Sequence, residues 1–185
     1  MIRRVVRGFQ VTVVNTRPDI RTEQVLARLD AALGLLERHV PHHYRRLHRD
    51  FGGFLVERRA YRGAFIFEGR TCLVELTFVV NPAHSLPEVA ATILHEAMHA
   101  RLHARGVAPD DSPKQERFCR RAEIEFGALV PGGDAVVRRA VESLALTDAE
   151  IAPDVDPRLA ARRVAEADAA AGRLAASRRA PGSPA

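Results

Sequence analysis

The segment from Ser85 to Gly106 constrains the fold of this chain most strongly, because a helix start, a helix stop and one apolar face all fall within it. Ser85 and Glu88 form the S-x-x-E pattern of a capping box, with Pro87 in the first turn. Gly106 supplies the stop. The apolar residues between these signals recur at helical spacing, which predicts an amphipathic helix with Val89, Ile93, Leu94, Ala97 and Met98 on its core side.

The same predicted helix carries the pattern His-Glu-x-x-His, with His95, Glu96 and His99. Four residues advance a helix by about 400°, so the two histidines lie on one face, one turn apart. At that separation both imidazoles can bind one zinc ion at roughly 2.1 Å. Glu96 is rotated by about 100° from His95, so it can reach a water beside the metal, as a general base does. The pattern predicts one Zn²⁺ per chain, with Glu96 as the catalytic residue.

A third protein ligand has to come from His103 or from a carboxylate, because no histidine follows His103. The extended pattern H-E-x-x-H-x-x-G-x-x-H fails, since Leu102 and Arg105 stand where its glycine and last histidine belong. His103 continues the four-residue series, but eight residues separate it from His95, which is about 12 Å along a helix. We therefore expect His103 at the rim of the site or on the surface, and keep it as a fallback ligand.

Two glutamates on a second predicted helix are better candidates. That helix opens with Ser112 as cap and Pro113 in its first turn, after a loop short enough to form a helical hairpin. Glu116 is the favoured third ligand, although a solvated glutamate in a first helical turn is the alternative. Glu123 lies on the same face and is either a residue behind the ligands or a fallback ligand. Glu125 lies on the opposite face, and we expect it to be exposed.

The segments LHEAMHARL and QERFCRRAEIEF resemble a set of short bacterial gluzincin-like proteins, mostly uncharacterised zinc metallopeptidases, over roughly residues 50 to 130. The resemblance implies a zincin-like fold with His95, His99 and a downstream glutamate as zinc ligands. Larger gluzincins use a later histidine or tyrosine to steady the transition state, and this chain has neither beyond Tyr61 and His103. Three side chains could substitute for it, and the sequence does not choose among Tyr61, Arg120 and Arg121. In the second segment the matched residues are Glu116, Cys119, Glu123 and Phe126.

The rest of the chain predicts an α+β fold, with a small sheet packed by an N-terminal helix and by the histidine helix. Strands are expected at residues 5–16, 54–59, 64–69 and 71–80, with a tight turn between the last two, and the last strand is expected to form the upper edge of the cleft. Helices are expected at residues 19–40 and 41–52, and two more follow residue 131. The predicted organisation is a catalytic domain at 1–130, a helical appendage at 131–177 that covers the cleft or mediates association, and a disordered tail at 178–185.

The charge of the chain is +5, with a pI of about 10.2, yet only one of its 28 basic residues is lysine. Arginine in place of lysine, together with many alanines, is typical of a GC-rich genome, so we expect no specific nucleic-acid binding. Cys72 and Cys119 form no C-x-x-C pair and are interpreted as buried thiols. A short basic segment holds four further histidines, which form either a solvated helix or a second metal site: His39, His42, His43 and His48.

Three functions remain open at this point. The first is a metallopeptidase that cleaves a peptide or protein substrate through Glu96. The second is a zinc-binding module without turnover, with a regulatory or interaction role. The third, suggested by the pI alone, is a zincin directed to DNA. No signal peptide and no apolar run long enough for a bilayer is present, so a cytoplasmic protein without membrane contact is expected, and its oligomeric state is left open.

Overall fold

The computed structural model describes residues 1–153 and 156–179 and has an α+β fold. A five-stranded mixed sheet and eight α-helices are present within these residues. The strands are β1 (Ile2–Val6), β2 (Phe9–Val13), β3 (Gly53–Glu57), β4 (Gly63–Ile66) and β5 (Thr71–Glu75). The helices are α1 (Thr22–His39), α2 (Pro41–Asp50), α3 (Leu76–Val80), α4 (Leu86–Ala104), α5 (Ser112–Leu129), α6 (Asp134–Leu144), α7 (Asp148–Ile151) and α8 (Pro157–Arg179).

The strand order is β1-β2-β3-β5-β4, and the three central strands run parallel. The outer strands β1 and β4 pair antiparallel with β2 and β5. β5, the last strand before α4, is therefore an inner strand, and the prediction that it forms the upper edge of the cleft is wrong. The outer strand beside α4 is β4, which forms a hairpin with β5 through residues 67–70, including a short 3-10 turn at Glu68–Arg70.

Residues directly opposite one another on neighbouring strands form one row on the face of the sheet that packs against the helices. The register places Val13, Val56, Val74 and Gly63 in one row across four strands. The three valines are buried, and Leu29, Leu33 and Ile93 of α1 and α4 belong to the same core cluster. The row ends at Gly63, where the backbone of β4 lies close to α4. This close approach brings the edge of the sheet to the middle of the histidine helix.

The predicted start and stop of α4 are confirmed. The Ser85 hydroxyl accepts a hydrogen bond from the Glu88 backbone N–H, and the Glu88 carboxylate accepts one from the Ser85 N–H at 2.9 Å. The helix ends at Ala104, and Gly106 has a φ of +60°, which a residue without a Cβ adopts at little cost. Of the predicted core face, Val89, Ile93, Leu94 and Ala97 are buried and Met98 is half-buried.

Two strand predictions are wrong, each for a local reason. Residues 5–16 form a hairpin instead of one strand, because Arg7 and Gly8 both have positive φ and reverse the chain. The Arg7 guanidinium holds this turn against α1 by binding Asp30 and Glu37. Residues 76–80 form α3 and do not extend β5, because the Glu75 carboxylate accepts hydrogen bonds from the Phe78 N–H and the Thr77 hydroxyl and so caps a helix.

The second site helix, α5, begins where expected but with a different cap. The Asp111 carboxylate accepts a hydrogen bond from the Lys114 N–H at 2.9 Å, so Asp111 and not Ser112 is the N-cap. α6 packs against α5 and buries Val136 and Ala140. The predicted tail at 178–185 lies outside the described residues from position 180 onward, while 178 and 179 are still helical. Across the part of the chain that the structure describes, no helix combines the length and apolar character of a membrane span.

Candidate metal centre

Three predicted ligands converge between α4 and α5. The Nε2 atoms of His95 and His99 are 3.1 Å apart. The Glu116 carboxylate lies across from them, with Oε1 3.1 Å from Nε2 of His99 and Oε2 3.4 Å from Nε2 of His95. Zinc bonds to nitrogen and oxygen of about 2.0–2.1 Å in a tetrahedron imply ligand-to-ligand separations of about 3.3 Å. The three observed separations fit that value, so these residues can hold a zinc-sized ion.

The other ring nitrogen of each histidine has its own hydrogen-bond acceptor. The Nδ1 of His95 is 3.1 Å from Oε1 of Glu123, and the Nδ1 of His99 is 3.3 Å from Oε1 of Gln115. Gln115 is oriented in turn, because its amide N–H donates to the Ala108 carbonyl at 2.8 Å. Protons on both Nδ1 atoms leave both Nε2 lone pairs directed at one point, as metal-ligating histidines require.

Cys119 is a second candidate for the third ligand. Its buried thiol and one ring nitrogen from each of His95 and His99 all lie within 4.8 Å of one another. A zinc–sulfur bond of about 2.3 Å implies a sulfur-to-nitrogen separation of about 3.6 Å. The 4.8 Å limit for Cys119 is therefore less restrictive than the separations found for Glu116. Burial also raises the pKa of the Cys119 thiol well above its ordinary value, which disfavours the thiolate that would bind a metal. Glu116 therefore fits the geometry better than Cys119.

Charges at this cluster are strongly coupled in the metal-free protein. Burial works to lower the pKa of His95, but its hydrogen bonds with Glu116 and Glu123 outweigh burial and raise it to about 10. Burial likewise works to raise the pKa of Glu116, but His95 and His99 hold it well below its ordinary value. A proton and a divalent ion would compete for the same ring nitrogen, so metal binding at this cluster is expected to depend on pH.

Glu96 lines a cavity beside the candidate ligand His95. The cavity is about 330 Å³ and is also lined by His95, Glu123 and Gly63. A Cβ on Gly63 would come within 2.9 Å of Oε1 of Glu96, so the glycine leaves the room that this carboxylate occupies. Burial is the main cause that raises the pKa of Glu96. Among the described residues, the Glu96 carboxylate takes no part in the hydrogen bonds of His95, His99 and Glu116.

Arginines line the same cavity, and the sequence indicated only one of them. Arg120 contacts both Glu116 and Glu123, at 3.4 and 3.1 Å. Of the three side chains considered as a transition-state electrophile, Arg120 alone lines this cavity; Arg121 is exposed beside Phe118, and Tyr61 lines neighbouring cavities. Arg62 and Arg139 also line it, and neither was foreseen, because no local pattern marks them.

The remaining predicted residues lie away from the metal position. His103 is exposed and packs its ring against Phe67 with centroids 4.4 Å apart, as expected for a residue outside the ligand set. Glu125 is half exposed, on the far side of α5 from Glu123. Glu123 lies behind His95 at Nδ1, which corresponds to the first of its two predicted roles.

A second cluster consists of His42, His43 and Glu125, whose possible ligand atoms also lie within 4.8 Å of one another. The hydrogen bonds of this cluster differ from those around His95 and His99. The Nδ1 of His43 accepts from the buried Arg101 guanidinium, so its proton is on Nε2, 3.7 Å from Glu125. That tautomer offers no lone pair to a metal. The expected solvated basic helix is confirmed for His42 and His48, which are exposed, but His43 is buried.

We found no protein-family model, no curated protein and no solved structure that matches this chain. The resemblance of the two site helices to gluzincin-like proteins therefore stays a prediction. The functional interpretation depends on the geometry between α4, α5 and β4.

Proposed function

We propose that this protein is a zinc-dependent hydrolase of peptide bonds with a zincin-like active site. The observation that carries the proposal is the convergence of the His95 and His99 Nε2 atoms on the Glu116 carboxylate, with both Nδ1 atoms hydrogen-bonded behind them. A site that only stabilised the fold would be expected to enclose its metal with four protein ligands. Here the set has three protein ligands, and His95 lines a cavity that also contains the buried carboxylates of Glu96 and Glu123.

The residues that would hold zinc are His95, His99 and Glu116. Bound there, zinc would supply a Lewis acid that polarises a carbonyl and makes a water more acidic. The chain supplies the rest. Glu123 and Gln115 orient the two imidazoles, and Arg120 braces the carboxylates of Glu116 and Glu123. These contacts come from one helix, α5, so the ligands and their supports are positioned together.

Glu96 is the group that moves the proton. Its carboxylate oxygen takes a proton from the attacking water and later delivers that proton to the leaving amine nitrogen. Two features of the chain suit it to this role: it is 6% exposed, and it lies in the cavity beside His95. Gly63 keeps the space next to its Oε1 open. A glutamate that served packing alone would not be expected to face a cavity at this position.

The edge strand β4 provides a place for an extended substrate. It pairs only with β5 among the described strands, so its outer edge has no strand partner within the described residues. Gly63, at the start of β4, lies against Glu96 and Thr92. A peptide added to this edge would pass close to the catalytic carboxylate. This arrangement favours a peptide over a nucleic acid as the substrate.

The proposal is tested by Glu96→Gln, assayed with zinc bound against a diverse library of short and unfolded peptides. Zinc content is expected to remain at one per chain, while hydrolysis falls by at least about a hundredfold because the base is lost. Glu142→Gln, an exposed residue of α6 outside the cavity, is the matched control and should cleave like the native protein.

Two outcomes contradict the proposal in different ways. If the native protein binds zinc and cleaves no peptide in the library, a zinc-binding module is the better description. If Glu96→Gln cleaves as fast as the native protein, the hydrolysis does not use this carboxylate.

A further inference from the structure

Three arginines from separate parts of the chain line the cavity that contains Glu96. Arg62 precedes β4, Arg120 belongs to α5, and Arg139 belongs to α6. The Arg62 side chain is 44% exposed and that of Arg139 is 29% exposed, so a ligand that enters from solvent can meet both. Three cations around one small cavity repel each other, and indeed burial and the charge of Arg139 lower the pKa of Arg62. Such a cluster needs an anion.

The anions of the protein satisfy these arginines only in part. The closest carboxylates to Arg139 are Glu88 at 3.6 Å and Glu123 at 3.7 Å, which is beyond hydrogen-bonding distance. Arg62 is likewise 3.7 Å from Glu88. Within the described residues, Nε and Nη1 of Arg139 and Nε of Arg120 are buried without a hydrogen-bond partner. Unsatisfied donors on a charged group are costly, so the protein's own carboxylates do not fully satisfy this arginine cluster.

The charge balance leads to the same conclusion. Glu88 and Glu123 lie beside these three arginines, Glu96 lines the same cavity, and Glu116 contacts Arg120. Set against these four carboxylates, the three arginines and a bound divalent ion would leave a net charge of +1 at the site. A substrate with one negative charge near the reacting bond would complete this site.

We propose that Arg62, Arg120 and Arg139 form a carboxylate-binding subsite, so that the favoured substrates carry a carboxylate beside the bond to be cleaved. A carboxylate can accept paired N–H donors from a guanidinium, and it is the anion that an unmodified peptide offers. Its source is either the free C-terminus of the peptide or an aspartate or glutamate side chain. The inference rests on the proposed peptidase function in treating the bound peptide as a substrate. The subsite itself is defined by binding alone and can be tested without cleavage.

Binding is therefore measured without turnover, by calorimetric titration of zinc-loaded Glu96→Gln protein with short peptides. Three probes separate the sources: a tripeptide of alanine with a free C-terminus, the same tripeptide as its C-terminal amide, and an amidated tripeptide with glutamate in the last position. We expect one or both of the carboxylate-bearing peptides to bind at least about tenfold more tightly than the amide of alanine, as charge-assisted hydrogen bonds imply. Binding of the free acid alone identifies the C-terminus as the source, and binding of the glutamyl amide alone identifies the side chain.

Substitutions then assign the preference to the cavity. Arg139→Gln and Arg62→Gln, each made in the Glu96→Gln background, should remove most of the preference for carboxylate. The exposed neighbour Arg138→Gln, which removes the same charge outside the cavity, should retain it. Melting curves of the variants show whether each protein is folded.

Several results overturn the subsite. The subsite is contradicted if the acid and amide peptides bind with equal affinity, a result that needs no substitution. It is also contradicted if Arg138→Gln reduces the preference for carboxylate as much as Arg139→Gln does. Tighter binding of inorganic phosphate than of any peptide acid would overturn the assignment to carboxylate. The two proposals can fail separately: carboxylate-dependent binding without cleavage by the native protein contradicts only the peptidase, and cleavage without carboxylate preference contradicts only the subsite.

Discussion

Two histidine pairs in this protein, one spaced four residues apart on α4 and one adjacent on α2, differ in the hydrogen bond that the second ring nitrogen makes. His95 and His99 direct Nδ1 at the side-chain oxygens of Glu123 and Gln115, so each ring keeps its Nε2 lone pair for the site. His43, beside His42, accepts a hydrogen bond from Arg101 at Nδ1. Both clusters are compact enough to enclose an ion. The difference teaches that the partner of the far nitrogen, more than proximity, decides whether a histidine can bind a metal.

Arg101 lies on the same helix as His95 and His99 and contacts His43, and its charge explains why the two clusters differ in their suitability for a metal ion. It follows His99 by two residues on α4, and its guanidinium binds Asp50 at 2.7 Å as well as His43. Its side chain is 8% exposed. A buried cation beside His43 repels a metal ion, whereas Glu116 and Glu123 beside His95 attract one. One face of α4 thus supports a cation site while another face of the same helix opposes one.

The largest expected effect is on zinc content. His95→Ala and His99→Ala should each remove the single zinc that the native protein is expected to bind, because two ligands cannot hold it tightly. His42→Ala and His43→Ala should retain it. Elemental analysis of the purified proteins makes the measurement. Loss of one equivalent on changing His42 or His43, or no stoichiometric zinc in the native protein, would contradict the comparison.

The next effect identifies the third ligand. Glu116→Ala is expected to weaken zinc binding by more than about a hundredfold, beyond the usual effect of a supporting residue, and by more than His103→Ala or Glu123→Ala. Cys119→Ser is the competing variant and should leave the affinity nearly unchanged. Competition with a chromogenic chelator gives the affinities. A thiolate charge-transfer band in the cobalt-substituted protein would assign the third ligand to Cys119 instead.

A smaller effect is expected from the residue behind His99. Gln115→Ala removes the acceptor of the Nδ1 proton, so zinc affinity should fall by about tenfold to a hundredfold while the ligands stay in place. The exposed neighbour Lys114→Ala is the control and should have no effect. The same chelator competition measures both. Unchanged affinity in Gln115→Ala would mean that the orientation of His99 does not depend on this contact.

The smallest effect concerns acid stability and His43. Burial, followed by the charges of Arg101 and His42, lowers the pKa of His43 to about 4, and Glu125 only partly opposes this. The unfolded chain, with a histidine pKa near 6.5, then binds the proton more readily, so stability is fully present above about pH 6.5 and declines as the pH falls toward 4. Between pH 7 and 5 this contribution to the free energy of unfolding should fall by about 1–2 kcal/mol.

Urea unfolding of zinc-free protein at both pH values tests this prediction. His43→Gln should lose less stability on acidification than the native protein. His103→Gln, at an exposed position outside this cluster, should lose as much as the native protein. An unchanged pH dependence in His43→Gln would show that His43 titrates normally, and would reopen the second cluster as a metal site.

Much of the histidine helix could be predicted from sequence, and the contacts between elements could not. Ser85, Glu88 and Gly106 define α4 by interactions within a few residues, so the phase of His95, Glu96 and His99 is a local property. The errors have the opposite character. The apolar run at 71–80 was expected to be one strand. Instead Glu75 caps a helix at residues 76–80, and it can do so only where the surrounding structure leaves that helix room.

The sequence alone determined the helix, the four-residue spacing of its histidines and the two candidate glutamates of α5, because helical periodicity depends on neighbours three and four residues away. Only the tertiary structure decided which role each glutamate takes, since the packing of α5 against α4 sets the 3.1 Å contacts of Glu116 and Glu123. It also decided that Arg62, Arg120 and Arg139 share one cavity, and that Gly63 lies beneath Glu96. Those relations join residues far apart in the chain, and no local pattern encodes which side chains packing will bring together.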